Sequence, residues 1–222
     1  GVTLVDNGDG TATLSGTPAA LSGGVYVLTL GGANGVAPDA SQTFTLTVGQ
    51  APAITSANNT AFLVGAAGLF NITSTGFPAN TLSLTGALPS GVAFVDNGDN
   101  SATLSGTPAD GTGGVYPLTI GAINGILPNA SQSFTLTVNE PPTFTNLEHV
   151  TFTAGNPNTF SITTDGHPAA AISFTGSLPA GVTLVDNGDG TATLSGTPAL
   201  GSNGVYVLQL AGANGVAPDA AQ

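Results

Sequence analysis

The chain has 222 residues, no Lys or Arg and a formal net charge of −12, which excludes the electrostatic binding of nucleic acid and of anionic membrane surfaces. It also has no Cys, so disulfides and thiolate metal sites are excluded. No apolar run reaches the roughly 18 residues of a membrane span, so no membrane insertion is predicted for this segment.

A repeat of 90 residues organises the chain. The sequence GVTLVDNGDGTATLSGTPA begins at Gly1 and again at Gly181, and a close variant begins at Gly91. The repeat predicts that residues 1–50 are the C-terminal part of a module, residues 51–140 a complete module, and residues 141–222 a module lacking its last strand; these are called the first, central and third modules. Proline follows both boundaries, which predicts short, stiff linkers and a semi-rigid line of modules.

Within each copy, apolar and polar residues alternate with the period of two that is typical of half-buried strands. In chain order, the central module shows this alternation at residues 70–73, 82–84, 102–105, 115–120 and 134–138. Turn residues separate these runs, and no helical period extends beyond one turn. About seven short strands in each period predict an all-β fold, an antiparallel sandwich.

Five motifs of the central copy carry a family resemblance. They are Leu88-Pro89-x-Gly91-Val92, Ser105-Gly106-Thr107-Pro108, Gly114-Val115-Tyr116, Asn124-Gly125 and Phe134-Thr-Leu136-Thr-Val138. Together they resemble the immunoglobulin-like tandem repeats of bacterial haemagglutinin-type and adhesin-like surface proteins. The resemblance implies head-to-tail Ig-like or cadherin-like sandwiches located outside the cell, at its surface.

Each copy also contains the turn sequence Asp-Asn-Gly-Asp, with two carboxylates three residues apart. Asn and Gly tolerate positive φ, so the sequence predicts a β-hairpin. Carboxylate and Asn oxygens are also suited to Ca²⁺, which takes about six to eight oxygen ligands. The candidate ligands under this alternative are Asp6, Asp9, Asp96, Asp99, Asp186 and Asp189. No other cofactor is predicted.

Catalytic constellations are not expected. The only imidazoles, His149 and His167, occur in the third copy and have no counterpart in the central one. Ser161, Asp165 and His167 do not form a relay, because Asp165 and His167 belong to a single turn. We therefore predict that the chain is not an enzyme.

One tyrosine recurs in each copy after Gly-Val, at Tyr26, Tyr116 and Tyr206. Its position suits a tyrosine corner, in which the hydroxyl group ties a loop to the sandwich. A sugar-stacking surface is the alternative.

These observations predict a structural repeat region of a bacterial surface protein that forms a fibre, stalk or filament. Its modules contact their neighbours, and other copies of the chain are the alternative partner. The alternatives are an adhesive module that binds a glycan or a protein, with or without Ca²⁺, and a subunit of a non-covalent filament. Loops that are alike in every copy favour the structural role.

Overall fold

The computed structural model describes residues 1–222, which form strands and turns without any helix. The strands are β1 (Val2–Asp6), β2 (Ala12–Gly16), β3 (Gly24–Gly32), β4 (Ala40–Val48), β5 (Gln50–Ile54), β6 (Asn59–Leu63), β7 (Gly68–Phe77), β8 (Thr81–Thr85), β9 (Val92–Asp96), β10 (Ser101–Gly106), β11 (Gly114–Ile123), β12 (Ala130–Phe144), β13 (Asn158–His167), β14 (Ala171–Gly176), β15 (Val182–Asp186), β16 (Thr191–Gly196), β17 (Leu208–Ala213) and β18 (Ala220–Ala221).

The central module is a two-sheet sandwich. One sheet has the strand order β5-β7-β10-β9, and the other pairs β8 with β11 and β11 with β12. All of these pairs are antiparallel, while β6 joins β12 in parallel, with Phe62 opposite Val138. The alternation of the sequence therefore corresponds to two facing sheets, and the predicted all-β fold is confirmed.

The core lies between the two sheets. Along β12, Phe134, Leu136 and Val138 are completely or almost completely buried, because their side chains alternate with those of the outward-facing Thr residues. The ring of Phe134 lies 5.2 Å from that of Phe70, tilted by 46°. Burial of each large apolar side chain contributes roughly 1.5–3 kcal/mol, so this row contributes substantially to the stability of the module.

The third module repeats most of these strands 90 positions later, but the counterpart of β6, residues 149–153, is not a strand. Strands β13, β16 and β15 form one sheet, and β14, β17 and β18 form the other. Its core is smaller, with Ile162, Ile172, Val182, Ala192 and Leu194 buried. In the first module, β1 pairs with β2 and β3 pairs with β4, as two separate antiparallel hairpins.

The central and third modules share one strand. Residues up to Asn139 of β12 pair within the central module, whereas Glu140 pairs with His167 of the third. Pro141 and Pro142 are the prolines that follow this module boundary, and they predict a short, stiff linker that interrupts the strand pattern. The structure shows that β12 continues through them to Phe144, with a bulge in its pairing between Glu140 and Thr143. The bulge accommodates the missing proline N–H groups, so no separate linker is present.

Candidate functional site

The Asp-Asn-Gly-Asp segments are the turns of regular hairpins. In the central module, Asp96 Oδ1 accepts a hydrogen bond from the N–H of Gly98 (3.2 Å). Asp99 Oδ1 accepts from the N–H (3.1 Å) and the hydroxyl (2.5 Å) of Ser101. The copies at Asp6 and Asp9 and at Asp186 and Asp189 repeat these contacts. The hairpin prediction is therefore confirmed.

The hairpin of the central module is also tied to the opposite sheet. The second carboxylate oxygen of Asp96 accepts a hydrogen bond from the N–H of Leu82 on β8 (3.1 Å). Both oxygens of this side chain therefore stabilise backbone. The structure contains no group of three or more His, Asp or Glu side chains arranged to hold a metal ion. Each turn therefore offers a metal ion two carboxylates and no third acidic side chain.

Chelation of divalent cations tests the alternative metal role of these turns. Because their carboxylates are held by N–H and O–H donors of the same hairpin, we expect the melting temperature of the chain to be the same in EDTA and in millimolar Ca²⁺. Circular dichroism at constant ionic strength measures it. A large fall in EDTA, reversed by Ca²⁺ but not by Mg²⁺, would assign the turns to a metal site.

Hydrogen bonding alters the acidity of two of these carboxyls. The Thr191 hydroxyl, followed by its backbone N–H, lowers the pKa of Asp189 below its ordinary value. The hydroxyl and N–H of Thr11 lower the pKa of Asp9 in the same way. Both donors favour the ionised form, so their contribution is present at neutral pH and is lost as pH falls through the lowered pKa.

The substitution Thr191→Val tests this origin. It removes the hydroxyl donor and keeps the N–H and the β-branched shape, so we expect the pKa of Asp189 to rise toward its ordinary value. Carboxyl-carbon chemical shifts followed by NMR as a function of pH measure it. Asp9, whose donor Thr11 is unchanged, is the control in the same sample. An unaltered pKa of Asp189 would contradict the assignment.

The histidine positions lie apart from each other. His149 is exposed in the segment after β12, and His167 is half-buried at the end of β13. Asp165 uses its Oδ1 to accept a hydrogen bond from the N–H of Gly166 (2.8 Å), and Ser161 lies four positions before Asp165 on the same strand. The structure thus places Ser161, Asp165 and His167 along one strand.

The recurrent tyrosines form tyrosine corners. Tyr116 donates its hydroxyl hydrogen to the carbonyl of Thr112 (2.7 Å), four residues upstream. Tyr26 and Tyr206 make the same contact with Ser22 and Ser202. The tyrosine-corner interpretation is confirmed, and each contact fixes the loop that leads into β3, β11 or the segment before β17.

In the central module this loop contacts Glu140, the last residue of that module, which pairs with His167 of the third module. Glu140 is 6% exposed and is the only buried acidic residue. Its Oε1 accepts from the N–H of Gly111 (2.7 Å) and its Oε2 accepts from the N–H of Gly113 (2.7 Å). These short, charge-assisted hydrogen bonds link the two modules. We call them the loop–carboxylate contact.

An asparagine of the third module closes the joint from the other side. Asn214 donates from Nδ2 to the carbonyl of Glu140 (2.8 Å) and to that of Pro168 (2.8 Å). Asn124 makes the equivalent contacts with Gln50 and Pro78 between the first and central modules (2.8 and 2.9 Å). The joints are thus built from loops of both modules around one strand residue.

Sequence analysis did not identify this site, because Gln50 and Glu140 were interpreted as linker residues. A signal was available in the repeat. Gly23 and Gly113 occupy the same repeat position, and a Cβ atom on either would lie within 3 Å of the joint residue, Gln50 or Glu140. The sequence pattern that corresponds to this contact is a glycine followed 27 positions later by a Gln or Glu. The structure adds that neither glycine has a positive φ, so the close contact is the reason for the missing side chain.

The structure contains no membrane-spanning helix. No protein-family model matches the chain. No curated protein sequence matches it either.

Solved structures show the fold. An I-band fragment of titin is 18% identical, with a TM-score of 0.55 over 100% of this chain and 79% of the titin chain. The Ig domains of Dpr2 in complex with DIP-Theta are 16% identical, with a TM-score of 0.61 over 99% and 79%. Tandem Ig domains of titin are also 16% identical, with a TM-score of 0.52 over 79% and 96%. The chain is therefore a tandem array of Ig-like β-sandwich modules.

Proposed function

We propose that this chain is the shaft of an extracellular fibre or stalk at a bacterial cell surface, in which Ig-like modules follow one another in a fixed orientation. The observation that carries this proposal is strand β12, which ends one module and begins the next without a linker. The bonds from Gly111, Gly113 and Asn214 restrain the same joint from both sides. A joint of this kind transmits orientation from one module to the next.

The composition supports an exposed extracellular location. With no Lys or Arg, the chain offers no cleavage site to trypsin-like proteases and no ion pairs that salt could weaken. Its acidic residues give neighbouring shafts the same charge, which opposes their lateral association. The resemblance to repeats of haemagglutinin-type surface proteins supports the same location and source.

Nuclear spin relaxation tests whether the joined modules move as one rigid shaft, which we call the rod. Because β12 and the loop contacts join the central and third modules, we expect the ¹⁵N relaxation of residues 51–213 at neutral pH to fit one elongated, anisotropic body. The substitution Asn214→Ala removes one tie and serves as a comparison with a weakened joint. Separate, faster rotational diffusion of the two modules in the unaltered chain would contradict the rod.

A glycan- or protein-binding role is the second candidate. It is favoured by the third module alone, in which Glu148, His149 and His167 replace Asn58, Asn59 and Phe77 of the central copy. The Ig domains of Dpr2 were solved in a complex with another Ig protein. A glycan array probed with the chain and with the variant Glu148→Asn/His149→Asn distinguishes the roles. Binding that this variant abolishes would support adhesion.

A further inference from the structure

The two joints of the chain differ at one interacting pair of positions. At the second joint, Glu140 accepts hydrogen bonds from both Gly111 and Gly113. At the first joint, Gln50 stands in place of Glu140 and accepts only from Gly23, at 3.1 Å. The residue that matches Gly111 there is Leu21. A carboxylate at the joint, Glu140, therefore occurs with a glycine at the loop position, Gly111. An amide at the joint, Gln50, occurs with a leucine at that position, Leu21.

The chemistry of the two side chains explains this difference. An ionised carboxylate accepts hydrogen bonds at both oxygens, whereas an amide has one accepting oxygen and one donating NH₂ group. Two converging N–H groups are therefore complementary to Glu140 in its ionised form alone. When the carboxyl is protonated, one oxygen carries a hydrogen and becomes a donor that opposes the N–H group in front of it.

The loop that supplies the two N–H donors is held in place by hydrogen bonds that do not involve Glu140. Tyr116 fixes the carbonyl of Thr112, and the Thr112 hydroxyl donates to the carbonyl of Ala109 (2.5 Å). These bonds lie wholly within the central module. The two N–H groups thus form a preorganised receptor, and Glu140 is the group whose protonation state decides whether both are used.

We propose that Glu140 is a positioning residue whose protonation loosens the second joint in acid, whereas the first joint, built on Gln50, does not respond. This inference rests on the proposed function, since it concerns the stiffness of the shaft. In the ionised form Glu140 holds the 109–113 loop against the third module. Protonation removes one of the two loop bonds. The shared strand β12 and the Asn214 contact remain, so the orientation of the third module relative to the central one becomes less restricted.

The other titratable groups around Glu140 act in the opposite direction. His167 on β13 lies opposite Glu140. The other titratable residues of the elements at the joint are Asp110 on the loop, Asp165 on β13, Tyr116 on β11 and Asp219 after Asn214. Acid removes negative charge from the aspartates and adds positive charge to the imidazole, and both changes lower the repulsion on a carboxylate at the joint. Tyr116 is hydrogen-bonded to the carbonyl of Thr112. Release therefore requires protonation of Glu140 itself.

Amide chemical shifts of the full 222-residue chain test the proposal at the residues concerned. In a ¹H–¹⁵N titration toward acid, we expect the amide protons of Gly111 and Gly113 to shift upfield together with one midpoint. We expect the protection of the Gly111 amide from hydrogen exchange, corrected for intrinsic rates, to fall at least tenfold, because its counterpart Leu21 makes no such bond at the Gln50 joint. The amides of Leu21 and Gly23, at the first joint, are the internal control and show neither change.

Two variants assign the transition. Glu140→Gln gives the second joint the side chain of the first, so the shared transition disappears and protection at Gly111 is low at every pH. Asp110→Asn removes the neighbouring carboxyl on the loop and leaves the transition in place. A transition that persists in Glu140→Gln, or that is absent from the unaltered chain, would overturn the proposal.

Relaxation measurements on the same samples separate this proposal from the rod itself. If acid loosens the joint, the relaxation of the unaltered chain shows additional motion between the central and third modules at acidic pH that is not seen at neutral pH. If the amide transition occurs while the modules keep tumbling as one body, Glu140 does not control the joint and the proposal fails, although the rod stands. Two independent bodies already at neutral pH would refute the rod instead.

Discussion

Replacing Phe134 by Ala is expected to lower the free energy of unfolding of the central module by about 3–5 kcal/mol, the usual cost of truncating a buried Phe. The side chain is 1% exposed and lies against Phe70 between the two sheets. The surrounding strands are fixed by backbone pairing on both sides, so the sandwich cannot collapse to fill the space. Hydrogen exchange of β7, β10 and β11, read peptide by peptide by mass spectrometry, measures the loss in this module.

The matched control is Ser133→Ala on the same strand. Ser133 is exposed and its side chain points away from the core, so we expect a change within about 0.5 kcal/mol. Comparable losses in the two variants would show that strand pairing, and not the buried row of β12, determines the stability of the module.

Adding a methyl group at Gly113 is expected to separate the central and third modules. A Cβ atom there would lie 2.5 Å from Glu140 Oε2, 2.7 Å from Glu140 Cβ and 2.9 Å from His167 Cβ. The last two atoms are attached directly to the backbone and cannot move without it, so Gly113→Ala forces the loop away from the joint. Overpacking of this kind costs about 1–3 kcal/mol, comparable to the contact that it breaks.

NMR shift changes at Glu140, His167 and Asn214, together with residual dipolar couplings of the two modules, measure the separation. The control is Gly24→Ala, one position beyond the equivalent Gly23. A Cβ atom at Gly24 would have its nearest neighbour at 3.9 Å, the Cε2 atom of Tyr26. A Gly113→Ala chain with unchanged orientation of its modules would show that the loop does not set the geometry of the joint.

The sequence was sufficient for those features that depend on neighbouring residues. Alternation at Phe134, Leu136 and Val138 predicts a strand with one buried face, because successive side chains point to opposite sides of a sheet. The Asn-Gly turn at Asn97 predicts a hairpin, because the positive φ that such a turn requires is easily adopted by these residues. The 90-residue repeat then applies each prediction to the other copies.

Tertiary structure alone decided which strands pair and how the modules join. Alternation identifies a buried face but not a partner, so the parallel pairing of β6 with β12 has no counterpart in the local pattern. The effect of Pro141 and Pro142 depends on whether the partner strand needs their N–H groups, and a bulge removes that need. Glu140 is buried because a loop 27 residues earlier and Asn214, 74 residues later, converge on it. Contacts between residues so far apart in the chain exist only once the sandwiches have formed.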